Sequence, residues 1–247
     1  MSFKDRFSQQ AATYAAHRPR YPDSLFAFLH AALPRHELAW DAGTGNGQAA
    51  QGLASSFREV VASDPSPRQL QNAQAPENVR FMQAAEELPE LSPGTVDLIT
   101  VAQALHWFDQ ERFYAEVRRV LHPQGGLACW TYNLPRFTPG VDKLVDRFYH
   151  EQVGAFWDAE RRLVETAYAT LDFPFAEEPV PDFEIRTSWT LEHLLGYLRS
   201  WSATWNFFQA HGVDPVIEWE PRLLEAWGTP ETPREGRWPL TVRLGRP

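Results

Sequence analysis

Three glycines at alternate positions, in the stretch Asp41-Ala42-Gly43-Thr44-Gly45-Asn46-Gly47, are the residues of this 247-residue chain best suited to hold a ligand. Closely spaced glycines allow left-handed turns and let backbone approach a bound molecule. A dinucleotide fingerprint, G-x-G-x-x-G, needs its third glycine at position 48, where this chain has Gln48; Gly47 arrives one residue early. There is no G-x-x-x-x-G-K-[ST] phosphate loop either. The loop therefore fits a ligand without phosphates. Asp41 points the same way, since its carboxylate would repel a pyrophosphate but suits a ligand bearing an amino group and a sulfonium; its plainer reading is a carboxylate bonded to backbone amides. Asp64 lies 21 residues beyond Gly43, a spacing at which an acidic side chain accepts hydrogen bonds from ribose hydroxyls. Its plainer reading is a helix cap before Pro65 and Ser66.

The elements that must position these residues alternate along the chain. Leu25, Phe26, Phe28, Leu29 and Leu33 recur at helical spacing, and Leu38-Ala39-Trp40 leads as a strand into the glycine loop. Ala49 to Phe57 reads as a helix, residues 60–62 as a strand, Pro67 to Ala75 as a helix and Val79 to Met82 as a strand. The β-branched run from Val96 to Val101 follows the turn signal Pro93-Gly94; Glu111 to Leu121 reads as helical, and Pro123 to Gly126 as a turn into the strand Leu127 to Tyr132. Strands separated by helices at this spacing imply a doubly wound α/β fold: a Rossmann-like, mostly parallel sheet of about seven strands with right-handed crossovers. After Tyr132 the helical pattern runs without strands, so residues 138–180 read as a helical insertion contributing to a substrate pocket. Phe183 to Thr187 resumes as a strand, Leu191 to Phe208 reads as one helix, and Trp238 to Leu244 as a last strand.

Composition sets bounds. With 43% hydrophobic and 22% charged residues the chain reads as a single folding domain over 1–247. A net charge of −9 opposes a nucleic-acid partner, and Arg118-Arg119 and Arg161-Arg162 are isolated pairs rather than a basic patch. No apolar run approaches a membrane span and the first residues lack a signal peptide's apolar core, so a cytoplasmic protein is expected. The single cysteine, Cys129, reads as a buried strand residue, and the histidines show no metal-ligand spacing, so no metal is expected.

S-adenosylmethionine carries both the amino group and the sulfonium that Asp41 suits. The residues from Asp41 to Gly47, the acidic run Val60 to Ser66, and Gln83-Ala84-Ala85-Glu86-Glu87-Leu88-Pro89 together resemble class I S-adenosylmethionine-dependent methyltransferases. The stretch Ala102-Gln103-Ala104-Leu105-His106-Trp107-Phe108-Asp109 resembles, within them, the group that includes trans-aconitate methyltransferase. The resemblance implies a cofactor site made of Asp41, Gly43, Thr44, Gly45, Asn46, Gly47, Gln48, Asp64, Pro65, Ala85, Glu86, Ala102 and Gln103. It also implies an N-terminal helical lid, residues 1–22, with Tyr14 and Arg18 at the methionine end. The expected reaction is methyl transfer to a small-molecule acceptor, an oxygen of an organic acid first, with the carbon or nitrogen of a quinone or amine as the alternative. A non-catalytic S-adenosylmethionine-binding module and, less well matched, a nicotinamide oxidoreductase stand as competitors. His106 is the candidate general base, with a pocket-shaping turn histidine as its other reading. Trp107, Tyr132, Trp201 and Trp205, with Arg186 as a partner for an anionic acceptor, are candidates for substrate contact or for ordinary packing. Oligomeric state is not legible.

Overall fold

The structure, a computed structural model, describes residues 18–247. Tyr14 and most of the expected lid segment lie outside them.

Five strands form the parallel core: β1 (Leu38–Ala42), β2 (Glu59–Asp64), β3 (Val79–Gln83), β4 (Val96–Ala102) and β5 (Leu121–Thr131). They lie in the spatial order β3-β2-β1-β4-β5. Successive residues of these strands point to opposite faces, and both faces are covered, which is why the strands read as near-continuous apolar runs. Ala39, Val60, Leu98 and Ala128 pack with Leu25, Phe26 and Leu29 of α1 (Asp23–Ala31) and with Ala50 and Leu53 of α2 (Gln48–Ala54). Their neighbours Trp40, Val61, Ile99 and Leu127 pack with Phe113, Val117 and Val120 of α4 (Gln110–Val120) on the other face. The short helix α3 (Pro67–Gln71) follows β2, capped by Ser66, whose hydroxyl accepts from the Gln69 amide. At the amino end of β4 the buried Asp97 takes Arg35 Nε at 3.0 Å and the Glu37 amide at 2.8 Å, tying the entry of β1 to β4.

The remainder adds three antiparallel strands and five helices: α5 (Pro139–Arg147), α6 (Arg161–Glu165), β6 (Ala176–Glu178), β7 (Phe183–Trp189), α7 (Leu191–Arg199), α8 (Ser202–His211), α9 (Val216–Trp227) and β8 (Arg234–Arg246). β8 pairs with β5 and extends the sheet; its second half also pairs with β6 and its first half with β7.

Several boundaries differ from those read in the sequence. Pro123 to Gly126 is no turn: these residues belong to β5, and the excess length is absorbed as a register shift opposite Val96 and Leu98. Leu191 to Phe208 is two helices, because Trp201 is extended at φ −74°, ψ 139°. The Ser200 and Thr204 hydroxyls donate to the carbonyls of Tyr197 and Leu198 left over at the break. The span 138–180 ends in the strand β6 rather than in helix.

Candidate active site

The parallel register sets the carboxyl ends of the strands side by side: Ala42 beside Ser63, Asp64 beside Gln83, Asp41 beside Thr100 and Ala102 beside Trp130. β1 has β2 on one side and β4 on the other, and chain order reverses there, which is where open α/β sheets hold ligands. The glycine loop leaves β1 at this point. Gly43, Gly45 and Gly47 all adopt left-handed φ, +68°, +56° and +87°. Their roles differ. A Cβ on Gly43 would collide with that of Ala104 at 2.6 Å, and one on Gly47 would press on the Phe81 ring, so these two are packing glycines. A Cβ on Gly45 would meet nothing within 4 Å, so this glycine presents bare backbone to open space. Its amide donates to Asp64 Oδ2 at 2.9 Å, while Asp64 Oδ1 accepts from the Ser66 amide at 2.8 Å. A carboxylate has about four lone-pair sites, more than these two amides use.

Asp41 is fully buried. Thr44 Oγ1 donates to one of its oxygens at 2.5 Å and Thr100 Oγ1 to the other at 2.7 Å. Burial raises its pKa to about 6, opposed by the hydrogen bonds from Thr44, Thr100 and the Ala50 amide. The carboxylate thus shapes the loop through two hydroxyls and one backbone amide. Asn46 and Gln48 flank Gly47, where the loop enters α2, and Pro65 follows Asp64. Glu86, half-buried, accepts from the Asp109 amide at 3.2 Å, whereas Ala85 is exposed.

Across the crevice, β4 ends at Ala102 and Gln103, the latter also in a left-handed conformation at φ +57°. Gln103 is held by β5: its amide donates to the Trp130 carbonyl at 2.9 Å, its side-chain Nε2 to the Tyr132 carbonyl at 2.9 Å, and its Oε1 accepts from Thr131 Oγ1 at 2.5 Å. Beside it lies a cavity of about 50 Å³ lined by Arg18, Gln103, His106, Trp107, Tyr132, Asn133, Trp157, Asp158, Arg161, Tyr197, Trp201 and Ser202. Four of the aromatic and imidazole positions singled out in the sequence, His106, Trp107, Tyr132 and Trp201, therefore converge, and Arg18 reaches the same cavity with its guanidinium 5.4 Å from the Tyr197 ring. Two do not. Trp205 stacks on Phe208 along α8, with centroids 5.6 Å apart, because the break at Trp201 resets the helix phase. Arg186 stands exposed on β7, ion-paired with Glu184 on the same strand and with Glu235 on the neighbouring β8.

His106 is buried and its Nδ1 lies 2.9 Å from Tyr168 Oη. Burial first, and the positive charge of Arg161 second, push its pKa down to about 3. The imidazole is neutral at physiological pH and is a weak base in this setting. Arg161 is the residue that the sequence did not reveal. Its Nε donates to Tyr149 Oη at 2.9 Å and its Nη2 to Asn133 Oδ1 at 2.6 Å, and the guanidinium lies 4.8 Å from the Trp157 ring centroid. All three partners are neutral, and among the described residues no carboxylate lies within 4.0 Å of it. Among the described residues the buried Trp157 Nε1 has no hydrogen-bond partner.

A methyltransferase domain family matches residues 40–129, from β1 through β5. The chain is 34% identical over 231 residues to a protein named a methyltransferase in Dictyostelium discoideum, covering 92% of this chain and 88% of that one. It is 32% identical over 137 residues to a yeast protein, from Saccharomyces cerevisiae, named as an S-adenosylmethionine-dependent methyltransferase, covering 52% and 47% of the two chains. The solved structure of a type II methyltransferase from Anaeromyxobacter dehalogenans superposes with a TM-score of 0.86 at 44% identity, over 93% of this chain and 97% of that one. The chain belongs to the S-adenosylmethionine-dependent methyltransferases. Its Rossmann-like fold is the one expected, and the cofactor is S-adenosylmethionine. The residues present fit that group: an open-faced Gly45, a carboxylate at the end of β2 and a loop with no phosphate-neutralising cation. Among the described residues no helix is long and apolar enough to cross a membrane, and no cluster of three or more histidine, cysteine, aspartate or glutamate side chains is arranged to hold a metal.

Proposed function

We propose that this methyltransferase acts on a carboxylate oxygen of a small organic acid, producing a methyl ester. The observation that carries the reading is Arg161: a guanidinium fixed by neutral partners in the cavity beside the carboxyl end of β4, with no carboxylate of its own among the described residues. A guanidinium whose direct hydrogen-bond partners are neutral can take an anionic ligand, and its planar fork matches a carboxylate. S-adenosylmethionine supplies, when bound, an electrophilic methyl group whose sulfonium departs as a neutral thioether. The acceptor oxygen's lone pair forms the O–CH₃ bond as the S–CH₃ bond breaks, and that electron pair stays on sulfur, giving S-adenosylhomocysteine. No proton has to move, which agrees with the burial that holds His106, in the same cavity, far below its ordinary pKa.

The chain's own residues then have two tasks. The Gly45 backbone, Asp64 and the loop braced by Asp41 hold the donor, with Asn46, Gln48, Pro65, Glu86 and Ala102 along the same edge. Arg161, Trp107, Tyr132 and Trp201 orient the acid, with Arg18 lining the same cavity. Alignment of nucleophile, methyl and leaving group supplies much of the rate, since proximity and orientation are worth up to ~7–11 kcal/mol. The likeness of Ala102 to Asp109 to the trans-aconitate methyltransferase group supports an acid acceptor, and a free small molecule is the expected partner. A screen of acids, phenols and amines for S-adenosylhomocysteine release tests this: turnover confined to acids is expected, and turnover of amines or phenols alone would overturn it.

A further inference from the structure

The hydrogen bonds that hold Arg161 leave several donors around it unspent. Tyr149 gives its own hydroxyl proton to Glu165 Oε1 at 2.7 Å, so its oxygen serves Arg161 Nε only as an acceptor. A guanidinium carries protons and no acceptor, so the Asn133 amide turns Oδ1 toward Arg161 Nη2, at 2.6 Å. That orientation sends the two protons of Asn133 Nδ2 elsewhere. Among the described residues neither they nor the protons of Arg161 Nη1 meet an acceptor. One hydrogen bond thus joins two cavity-lining groups that each keep an unspent N–H, and Asn133 is only half-buried. Trp157 limits the approach to them. Its ring centroid lies 4.8 Å from the guanidinium and covers one face, so a ligand must come to the edge where the N–H groups point. The buried Trp157 Nε1 is a third donor without a partner among the described residues. Of the described charged side chains lining the cavity, Arg18 and Arg161 are positive and Asp158 negative, and His106 is held neutral, which leaves one positive charge in excess. Surplus donors and one net positive charge suit a singly charged group that only accepts, and an ionised carboxylate is such a group.

We propose that Asn133 is a specificity-determining residue for the methyl acceptor, its Nδ2 donating to one oxygen of the carboxylate whose other oxygen Arg161 Nη1 holds. Resting on the acid reading above, this gives Asn133 two tasks: Oδ1 fixes the guanidinium, and Nδ2 binds the acceptor directly. The pair selects a carboxylate because an ammonium has no lone pair for either donor and an alcohol oxygen serves one site instead of two. A carboxylate has about four lone-pair sites, so two N–H donors leave a lone pair for the methyl group.

The test has two arms on the full-length protein. In the first, ¹⁵N-labelled enzyme saturated with S-adenosylhomocysteine is titrated with acetate, succinate and benzoate, and proton–nitrogen correlation spectra follow the Asn133 side-chain amide, identified by the loss of its pair of signals in Asn133→Asp. A downfield shift of one of its protons is expected with at least one acid; a pair unmoved by all three overturns the proposal. The second arm separates direct contact from bracing of Arg161. Asn133→Ala is made in the unaltered enzyme and in Arg161→Met, folding is checked by thermal unfolding, and kcat/KM is measured with whichever of the three acids turns over fastest. A fall of about tenfold or more is expected in the unaltered enzyme, and one of about threefold or more in the Arg161→Met background. No fall in that background means that Asn133 acts only through Arg161, which overturns the direct contact while leaving the acid reading standing. Turnover of none of the three acids, with amines or phenols accepted, overturns the acid reading and this proposal together.

Discussion

Lowering the pH from 7 to 5 should cost this protein stability through His106 by a predictable amount. The folded-state pKa is about 3 because the ring is buried beside Arg161, against an ordinary value of 6.5. A group whose pKa is depressed on folding contributes stability that is present above its unfolded pKa and is lost as pH falls toward the folded one. The window is therefore pH 6.5 down to about 3. At pH 5 the unfolded chain has protonated this histidine while the folded chain has not, and integrating the difference from pH 7 gives a loss of about 2 kcal/mol. Asp41 acts in the opposite sense: its pKa, raised to about 6, makes the folded state the better proton binder, so its share of stability falls as pH rises from about 4 to 6. The comparison that isolates His106 is the unaltered protein against His106→Gln, both carrying Asp41, unfolded in urea at the two pH values with tryptophan fluorescence as the signal. The stability difference between the two proteins should change by about 2 kcal/mol, the unaltered protein losing more. Parallel pH dependences would refute the reasoning, because they would mean that the imidazole titrates alike in both states.

Other expectations follow from the same geometry. Asp64→Ala removes a partner of the Gly45 amide as well as the proposed ribose acceptor, so S-adenosylmethionine affinity should fall by ~1–3 kcal/mol; an unchanged dissociation constant by titration calorimetry would place the ribose elsewhere. Gly45→Val puts a branched side chain at φ +56° on the open face of the loop, costing roughly 1–2 kcal/mol of stability and a larger share of cofactor binding; equal binding would show that this face is not the ligand's. Arg161→Met should raise KM for an acid acceptor by about tenfold or more, from the loss of a charge-assisted bond, while the dissociation constant for S-adenosylmethionine stays put. A KM unaffected by that change would remove Arg161 from the acceptor site.

How much of this was legible in the sequence depended on distance along the chain. The parallel strands announce themselves locally, because burial on both faces forces runs such as Val96 to Val101, and the glycine loop is a contiguous signal. β6, three residues of Ala-Glu-Glu, carries no apolar pattern and exists only because β8 lies beside it. α9 was hidden by Pro221 within it, yet Val216, Trp219, Leu223 and Trp227 bury one face. The donor side of the site was readable because its residues follow strand ends in order. The acceptor side was not. Arg161 beside Arg162 looks like an ordinary surface pair, and what sets it apart is Asn133, 28 residues away, and Tyr149, 12 away. Tyr168, 62 residues from His106, offers no spacing signal at all; the left-handed conformation that aims it is a property of the folded chain. Arg186 and Trp205 were plausible by type and lost their place through strand pairing and a helix break.

The most direct test of the acceptor chemistry follows the methyl group itself. The enzyme is supplied with S-adenosylmethionine labelled in the transferred methyl and with an organic acid that it turns over, and the product is split by mild alkali. The label should leave as methanol, as it must from a methyl ester on a carboxylate oxygen. Label that stays on the product through alkali, as an ether, amine or carbon-bound methyl, would contradict the account.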